Sequence, residues 1–133
     1  MFDAWHRKAN VELVKFVTVG LLNTVICLSI IYLLKWYLHW SDTVANFVGY
    51  FVCIGLGFFL NGRWTFERQG LKANHLMGYL LVIGVAYLMN LLVVLTSLNE
   101  LGVSGDLAQI LGVPVFTLTT YWLNKTYVFS GKD

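Results

Sequence analysis

An all-α polytopic membrane protein is the fold class that this sequence predicts, with four transmembrane helices arranged as two helical-hairpin repeats of the same orientation. Three observations predict it. Hydrophobic residues fill 58% of the 133 positions, charged residues only 12%, and mean hydropathy is +0.69; a soluble chain carries about 25% charged residues. The apolar residues fall into four long runs separated by short polar stretches, each run near the roughly 20 residues that cross about 30 Å of hydrocarbon. The stretch Phe59-Leu60-Asn61-Gly62-Arg63-Trp64-Thr65-Phe66 also returns 63 residues later as Trp122-Leu123-Asn124-Lys125-Thr126-Tyr127-Val128-Phe129. The same offset pairs Ala45 with Ala108, Asn46 with Gln109, Gly49 with Gly112 and Val52 with Val115. Such an internal repeat constrains the whole fold.

Residues 1–15 are polar and basic, with Arg7, Lys8 and Lys15 against Asp3 and Glu12. The first apolar run then gives a helix over about residues 16–35. It is too long for the apolar core of a signal peptide and no small-residue cleavage site follows it, so it is expected to remain uncleaved. Lys35-Trp36-Tyr37-Leu38-His39-Trp40 suits a membrane interface. Ser41-Asp42-Thr43 is an N-cap signal for a second helix over about residues 43–61. A polar loop with Arg68 and Lys72 leads to a third helix over about residues 75–98, and a Gly- and Ser-containing turn to a fourth over about residues 106–124. Pro114 removes one backbone hydrogen bond from the fourth, so a kink is expected there. The whole chain, 1–133, reads as a single transmembrane domain.

Orientation follows from lysine and arginine. The N-terminus, the loop between helices 2 and 3 and the tail hold Arg7, Lys8, Lys15, Arg63, Arg68, Lys72, Lys125 and Lys132, whereas the other loops hold only Lys35. Positive charge stays inside, so both termini are expected in the cytoplasm. Each hairpin then starts and ends inside, and the repeat axis lies along the membrane normal.

Helix 2 carries a small residue at every fourth position, Ala45, Gly49, Cys53 and Gly57, followed by Asn61. Lipid gives no hydrophobic drive for helix association, and small rows let backbones approach closely, so this row reads as a packing face. Asn23 and Thr24, Gly84, Tyr87 and Asn90, and Thr117, Thr120 and Asn124 recur at helical spacing, as interhelical hydrogen bonds or as the lining of a polar cavity. No Asp, Glu, Lys or Arg lies mid-span, so coupling to protons or sodium is unsupported. Cys27 and Cys53 sit in apolar runs and read as reduced thiols, and His6, His39 and His75 lack metal-ligand spacing. No nucleotide-binding glycine loop, Ser–His–Asp set or carboxylate pair is present, which argues against an enzyme and against a cofactor.

In the repeated motif Trp64, Phe66, Tyr127 and Phe129 form an aromatic belt, and Arg63 and Lys125 are placed to reach phosphates. Asn61 and Asn124 precede them, able to donate to a phosphate or to cap the helix end. Duplication at one membrane face points to an anionic-headgroup site.

These residues resemble the GtrA-like membrane proteins. The resemblance rests on Phe16-Val17-Thr18-Val19-Gly20 with Asn23-Thr24, on Ala45 and Gly49, and on both copies of the motif, and it covers essentially the whole chain. It implies translocation of a polyprenyl-phosphate-linked sugar, or of the polyprenyl-phosphate carrier, across the bacterial cytoplasmic membrane in cell-surface polysaccharide synthesis such as O-antigen modification. The carrier would be undecaprenyl or decaprenyl phosphate, and the partner a polyprenyl-phosphate glycosyltransferase. Some members instead recruit that enzyme as non-transporting scaffolds. By resemblance Asn61, Arg63, Asn124 and Lys125 are the lipid-phosphate positions, with Lys15, Asn23, Thr24, Trp64, Asn90, Thr120 and Tyr127 supporting the interface or a cavity. The cation falls two positions after Asn61 but directly after Asn124, about 100° apart on a helix, so one copy is expected to dominate binding. Four short helices enclose little volume, which favours a homodimer; a nucleic-acid partner is not expected. Small multidrug exporters also have four helices but rely on an embedded acid in helix 1, and Glu12 lies too near the edge.

Overall fold

Hydropathy marks only the membrane portion of the first helix. In the computed structural model, which describes residues 2–131, α1 is continuous over Phe2–Trp36. Residues 2–15 contain neither Gly nor Pro and include Ala4, Arg7, Lys8, Ala9, Glu12 and Leu13, all strong helix formers. Nothing stops the helix, so it propagates outward from the apolar run. Its 35 residues extend about 52 Å, roughly 20 Å more than the hydrocarbon requires. Lys132 of the basic tail lies outside the described residues.

The chain forms two compact units, Met1–Gln69 and Gly70–Asp133. In the first, α1 pairs with α2 (Asp42–Leu60), which passes directly into a π-helical turn, Asn61–Thr65. In the second, α3 (Ala73–Asn99) pairs with α4 (Gly105–Leu123), which ends in its own π-helical turn, Asn124–Val128. α1, α2 with its turn, and α3 are long and apolar enough to cross a membrane. α4 carries Gln109, Pro114 and three threonines and is less apolar. It continues through Pro114 as one helix from Gly105 to Leu123.

The repeat is visible in the local stereochemistry of each unit. The hairpin turns hold a left-handed residue at equivalent places, His39 (φ 54°) and Gly102 (φ 61°). Ser41 and Ser104 then cap α2 and α4, each hydroxyl oxygen accepting from the backbone N–H three residues on, at 3.4 Å in both units. Glycine takes the left-handed conformation freely; His39 carries its steric cost.

Packing within the first unit follows the small-residue row. Ala45, Gly49, Cys53 and Gly57 are all buried; Ala45 and Cys53 pack with Cys27 and Ile31 of α1, and Gly49 lies against Ile31. Asn23 ties the pair together, its Nδ2 donating to the Cys53 carbonyl at 3.0 Å. Thr24 makes no such bridge: its hydroxyl donates to the Gly20 carbonyl of its own helix. In the second unit Ala108 and Gly112 are buried, against α3 residues that include Val94. Large side chains such as Phe47, Phe51, Leu81 and Ile110 remain exposed, as a lipid-facing surface requires.

Two glycines are demanded by closeness alone. A Cβ on Gly49 would collide with the Ile31 side chain, and one on Gly112 with Asn90 and, at 3.0 Å, with Val94. Ile31 is β-branched and stiff within a helix, so it cannot step aside. Gly49→Ala is therefore expected to destabilise the protein by about 1–3 kcal/mol through overpacking. Gly55→Ala, where nothing lies within 4 Å, should instead hold or raise stability through better helix propensity. Thermal unfolding in detergent of the two variants checks the contrast, and equal behaviour would refute this packing.

Candidate functional site

The repeated motif does not leave its helix as a loop. At Asn61 and at Asn124 the backbone shifts from i→i+4 to i→i+5 bonding, with Phe66 N–H donating to the Asn61 carbonyl at 2.9 Å and Phe129 N–H to the Asn124 carbonyl at 2.8 Å. In the first unit Arg68 N–H also reaches the Gly62 carbonyl at 2.7 Å. Such π-turns are rare and frequently mark functional positions. The wide turn rotates the side chains after each Asn away from ordinary helical register, and it seats the closing Phe against the unit's first helix. Phe66 lies 6.1 Å from Phe16, and Phe129 6.3 Å from Tyr79, between ring centroids. Phe16 and Tyr79 are themselves equivalent under the repeat.

In the first unit the side chains of Asn61 and Lys15 find partners within the unit. Thr65 Oγ1 donates to Asn61 Oδ1 at 3.0 Å, and both residues are buried. Lys15 Nζ donates to Glu67 Oε1 at 2.8 Å and to the Trp64 carbonyl at 3.3 Å, and lies 5.9 Å from the Trp64 ring centroid. The hydrogen bond and charge of Lys15 hold the Glu67 carboxyl below the usual carboxylate range. Glu67 has a left-handed backbone (φ 51°), so the chain reverses where this ion pair forms. Lys15 thus fastens α1 to the end of α2.

The second unit has the same backbone turn with different side chains. Gly78 stands where Lys15 does, Val128 where Thr65 does and Ser130 where Glu67 does. Asn124 is completely enclosed at 0% exposure, and neither its Oδ1 nor its Nδ2 has a hydrogen-bond partner. Beside it, the half-buried Lys125 donates from Nζ to the Tyr121 hydroxyl at 3.2 Å and lies 5.5 Å from that ring's centroid. Thr120 is buried and donates to the Phe116 carbonyl at 2.7 Å.

Of the residues singled out from sequence, Arg63, Trp64 and Tyr127 are exposed at the turns. Asn61 and Asn124 are buried beneath them, and Lys15 is engaged with Glu67. Asn90 lies against Gly112, inside the α3–α4 pair. Asn23 bridges α1 to α2, whereas Thr24 is exposed on α1. Arg68, placed by the sequence in a polar loop, is only 6% exposed. Sequence reasoning missed Thr65, Tyr121 and Glu67. An i→i+4 search carried past the apparent helix ends flags Asn61–Thr65 and Tyr121–Lys125; nothing local flags Glu67, whose partner lies 52 residues away.

A groove of about 570 Å³ runs along the polar turns of α1 beside Glu67. It sets Arg7, Lys8 and Lys15 against Asp3, Glu12 and Glu67, so its charges offset one another and it presents no net field for an anion. Among the described residues no three His, Cys, Asp or Glu side chains gather as a metal ion would need.

Residues 15–129 match the model of the family described as the GtrA/DPMS transmembrane domain. The chain belongs to that family. Within it, the chain is 31% identical over 80 residues to a bactoprenol-linked glucose translocase of Shigella phage SfV, covering 60% of this chain and 63% of that one. It is 30% identical over 74 residues to the protein of the same name from Shigella phage SfII, covering 54% and 62%. A prophage bactoprenol-linked glucose translocase homolog of Escherichia coli strain K12 is 30% identical over 70 residues, covering 53% and 55%. The chain thus spans less than two thirds of the length of each of these relatives. Membership of this GtrA/DPMS family, with apolar helices of spanning length, makes the chain a multi-pass membrane protein.

Two outcomes follow from the first unit. Thr65→Val leaves the buried Asn61 oxygen without its donor and should cost about 1–3 kcal/mol, read as lowered thermal stability in detergent. Because the folded-state pKa of Glu67 is depressed, its ion pair contributes stability above the unfolded carboxylate value of about 4.3, and that contribution fades as pH falls through the folded value. A Glu67→Gln variant should therefore be less stable than the parent at neutral pH and converge with it in acid. A constant difference across the range would show that the pair does not stabilise the fold.

Proposed function

We propose that this protein translocates a polyprenyl-phosphate-linked sugar, or the polyprenyl-phosphate carrier, across the bacterial cytoplasmic membrane. The observation that carries this reading is the family match over residues 15–129, joined to curated relatives named as bactoprenol-linked glucose translocases. The geometry supports it: each hairpin ends in a π-turn that presents a cation, Arg63 on one and Lys125 on the other, to a lipid phosphate. Lys125 is pre-positioned by Tyr121, while Arg63 is exposed and open to a headgroup. Asn61 and Asn124 build the turns that carry these cations, and Trp64 and Tyr127 lie among the headgroups.

In this reading both termini and both turns face the cytoplasm, where a polyprenyl-phosphate glycosyltransferase loads the carrier. The protein is a transporter and not an enzyme. It operates without an energy source of its own, drawn forward by consumption of the sugar on the far side. The protein works as a homodimer.

Purified protein reconstituted alone in liposomes is expected to equilibrate a labelled polyprenyl-phosphate glucose between leaflets. Arg63→Gln with Lys125→Gln should slow that exchange at least tenfold, since each charged hydrogen bond is worth about 1.5–3 kcal/mol. No exchange above protein-free liposomes, with the glycosyltransferase still retained by the protein in pull-down, would replace this reading with that of a scaffold.

A further inference from the structure

The two copies of the motif differ in one respect that ordinary packing does not explain. Asn61 has its oxygen satisfied by Thr65. Asn124, at the same place in the second unit, is enclosed with both ends of its carboxamide unpartnered. Val128 occupies the position from which a threonine hydroxyl would reach it, and Gly78 the position from which Lys15 braces the first unit. Burying an amide with no partner is costly. A leucine at 124 would fill similar volume without that cost.

We infer that Asn124 reads the hydroxyl groups of the sugar on the lipid carrier; this rests on the translocase reading above. The chemistry favours a glycosyl group over a phosphate. A carboxamide offers two N–H donors and an acceptor oxygen side by side. A phosphodiester is acceptor-only: it would satisfy Nδ2, leave Oδ1 bare and set negative charge against it. A sugar hydroxyl both donates and accepts, and two neighbouring hydroxyls meet both ends of the amide at once. Lys125, one residue on, points to Tyr121 and supplies the positive charge that the phosphate needs. The second unit thus separates the two tasks, charge on Lys125 and hydroxyl recognition on Asn124. Since Asn124 is enclosed, the sugar reaches it only as the packing over the π-turn opens. The first unit cannot do the same, because Asn61 is engaged by Thr65 and Lys15 by Glu67.

The test measures binding by the full chain in nanodiscs of polyprenyl phosphate and of its glucose, mannose and galactose derivatives. The parent should bind at least one glycosylated lipid more tightly than bare polyprenyl phosphate. Asn124→Leu should reduce that preference at least about fivefold while holding or raising thermal stability, the magnitude following from the loss of a buried hydrogen-bonding group. Val128→Thr is the second variant, near-isosteric and able to satisfy Asn124 from within. It should raise the melting temperature and erode the same preference, without weakening binding of bare polyprenyl phosphate. A preference for the glycosylated lipid that survives both substitutions overturns the assignment, as does a parent that binds all four lipids equally; both results leave the translocase reading standing. A parent that binds none of them overturns that reading too.

Discussion

Hydrocarbon offers no hydrogen-bond partner, and that constraint governs most of what this structure does. Every backbone polar group in the spans must be satisfied by the chain, which leaves helices as the available form. The same demand extends to side chains. Thr18, Thr24 and Ser29 return their hydroxyls to carbonyls of their own helix. Asn23 donates across to α2, and Thr120 to the turn before it. Even the ends of α2 and α4 obey it, because a π-turn widens the helix without breaking it and keeps bonding the carbonyls of Asn61 and Asn124. An abrupt stop there would leave orphan carbonyls near the apolar layer.

Given that demand, helix pairing cannot rely on burying apolar area and must come from close contact. The row Ala45, Gly49, Cys53, Gly57 supplies it in the first hairpin. The second hairpin repeats the two small residues at the start of the row, Ala108 and Gly112, then turns bulkier and more polar at Phe116, Thr120 and Asn124. The half of each hairpin nearest the inter-helix turn is therefore alike in both units, down to the serine caps and the left-handed residue. The half nearest the π-turn has diverged. One copy is braced by two bonded pairs, Lys15 with Glu67 and Thr65 with Asn61, and the other has the turn without the brace.

Much of this was legible in the sequence, for physical reasons. The spans show because apolar runs of that length have few other uses. The repeat and the small-residue row show because both are matters of spacing. The outer part of α1 did not show, since hydropathy is silent where a helix leaves the membrane, and only the lack of a breaker in residues 2–15 signals its continuation. The π-turns did not show either, because Asn followed by a cation and aromatics looks like an exit, and no propensity separates i→i+5 from i→i+4 bonding. Arg68 looked like a surface charge, yet tertiary context buries it. The Lys15–Glu67 pair depends on bringing together residues 52 apart, which only the folded hairpin does. Asn124 was legible as a candidate, but its isolation was not: that follows from Val128 standing one π-turn away, and a valine there reads as ordinary apolar filling.

Divergence between the copies bears on the translocation proposed above. Locally consistent sequences agree at every level, and natural proteins break that consistency mainly where function requires it. In the first unit Asn61 is engaged by Thr65 and Lys15 by Glu67, so its turn suits the role of fixed support. The second leaves one amide exposed to no solvent and bonded to nothing, a state that favours any ligand able to supply a donor and an acceptor together. In the proposed role the group must also release what it holds, and a single neutral amide gives moderate affinity where a buried charge would bind too tightly to let go. A site that combines a half-exposed cation with one hidden amide can therefore hold a charged, hydroxylated headgroup at the turn without trapping it.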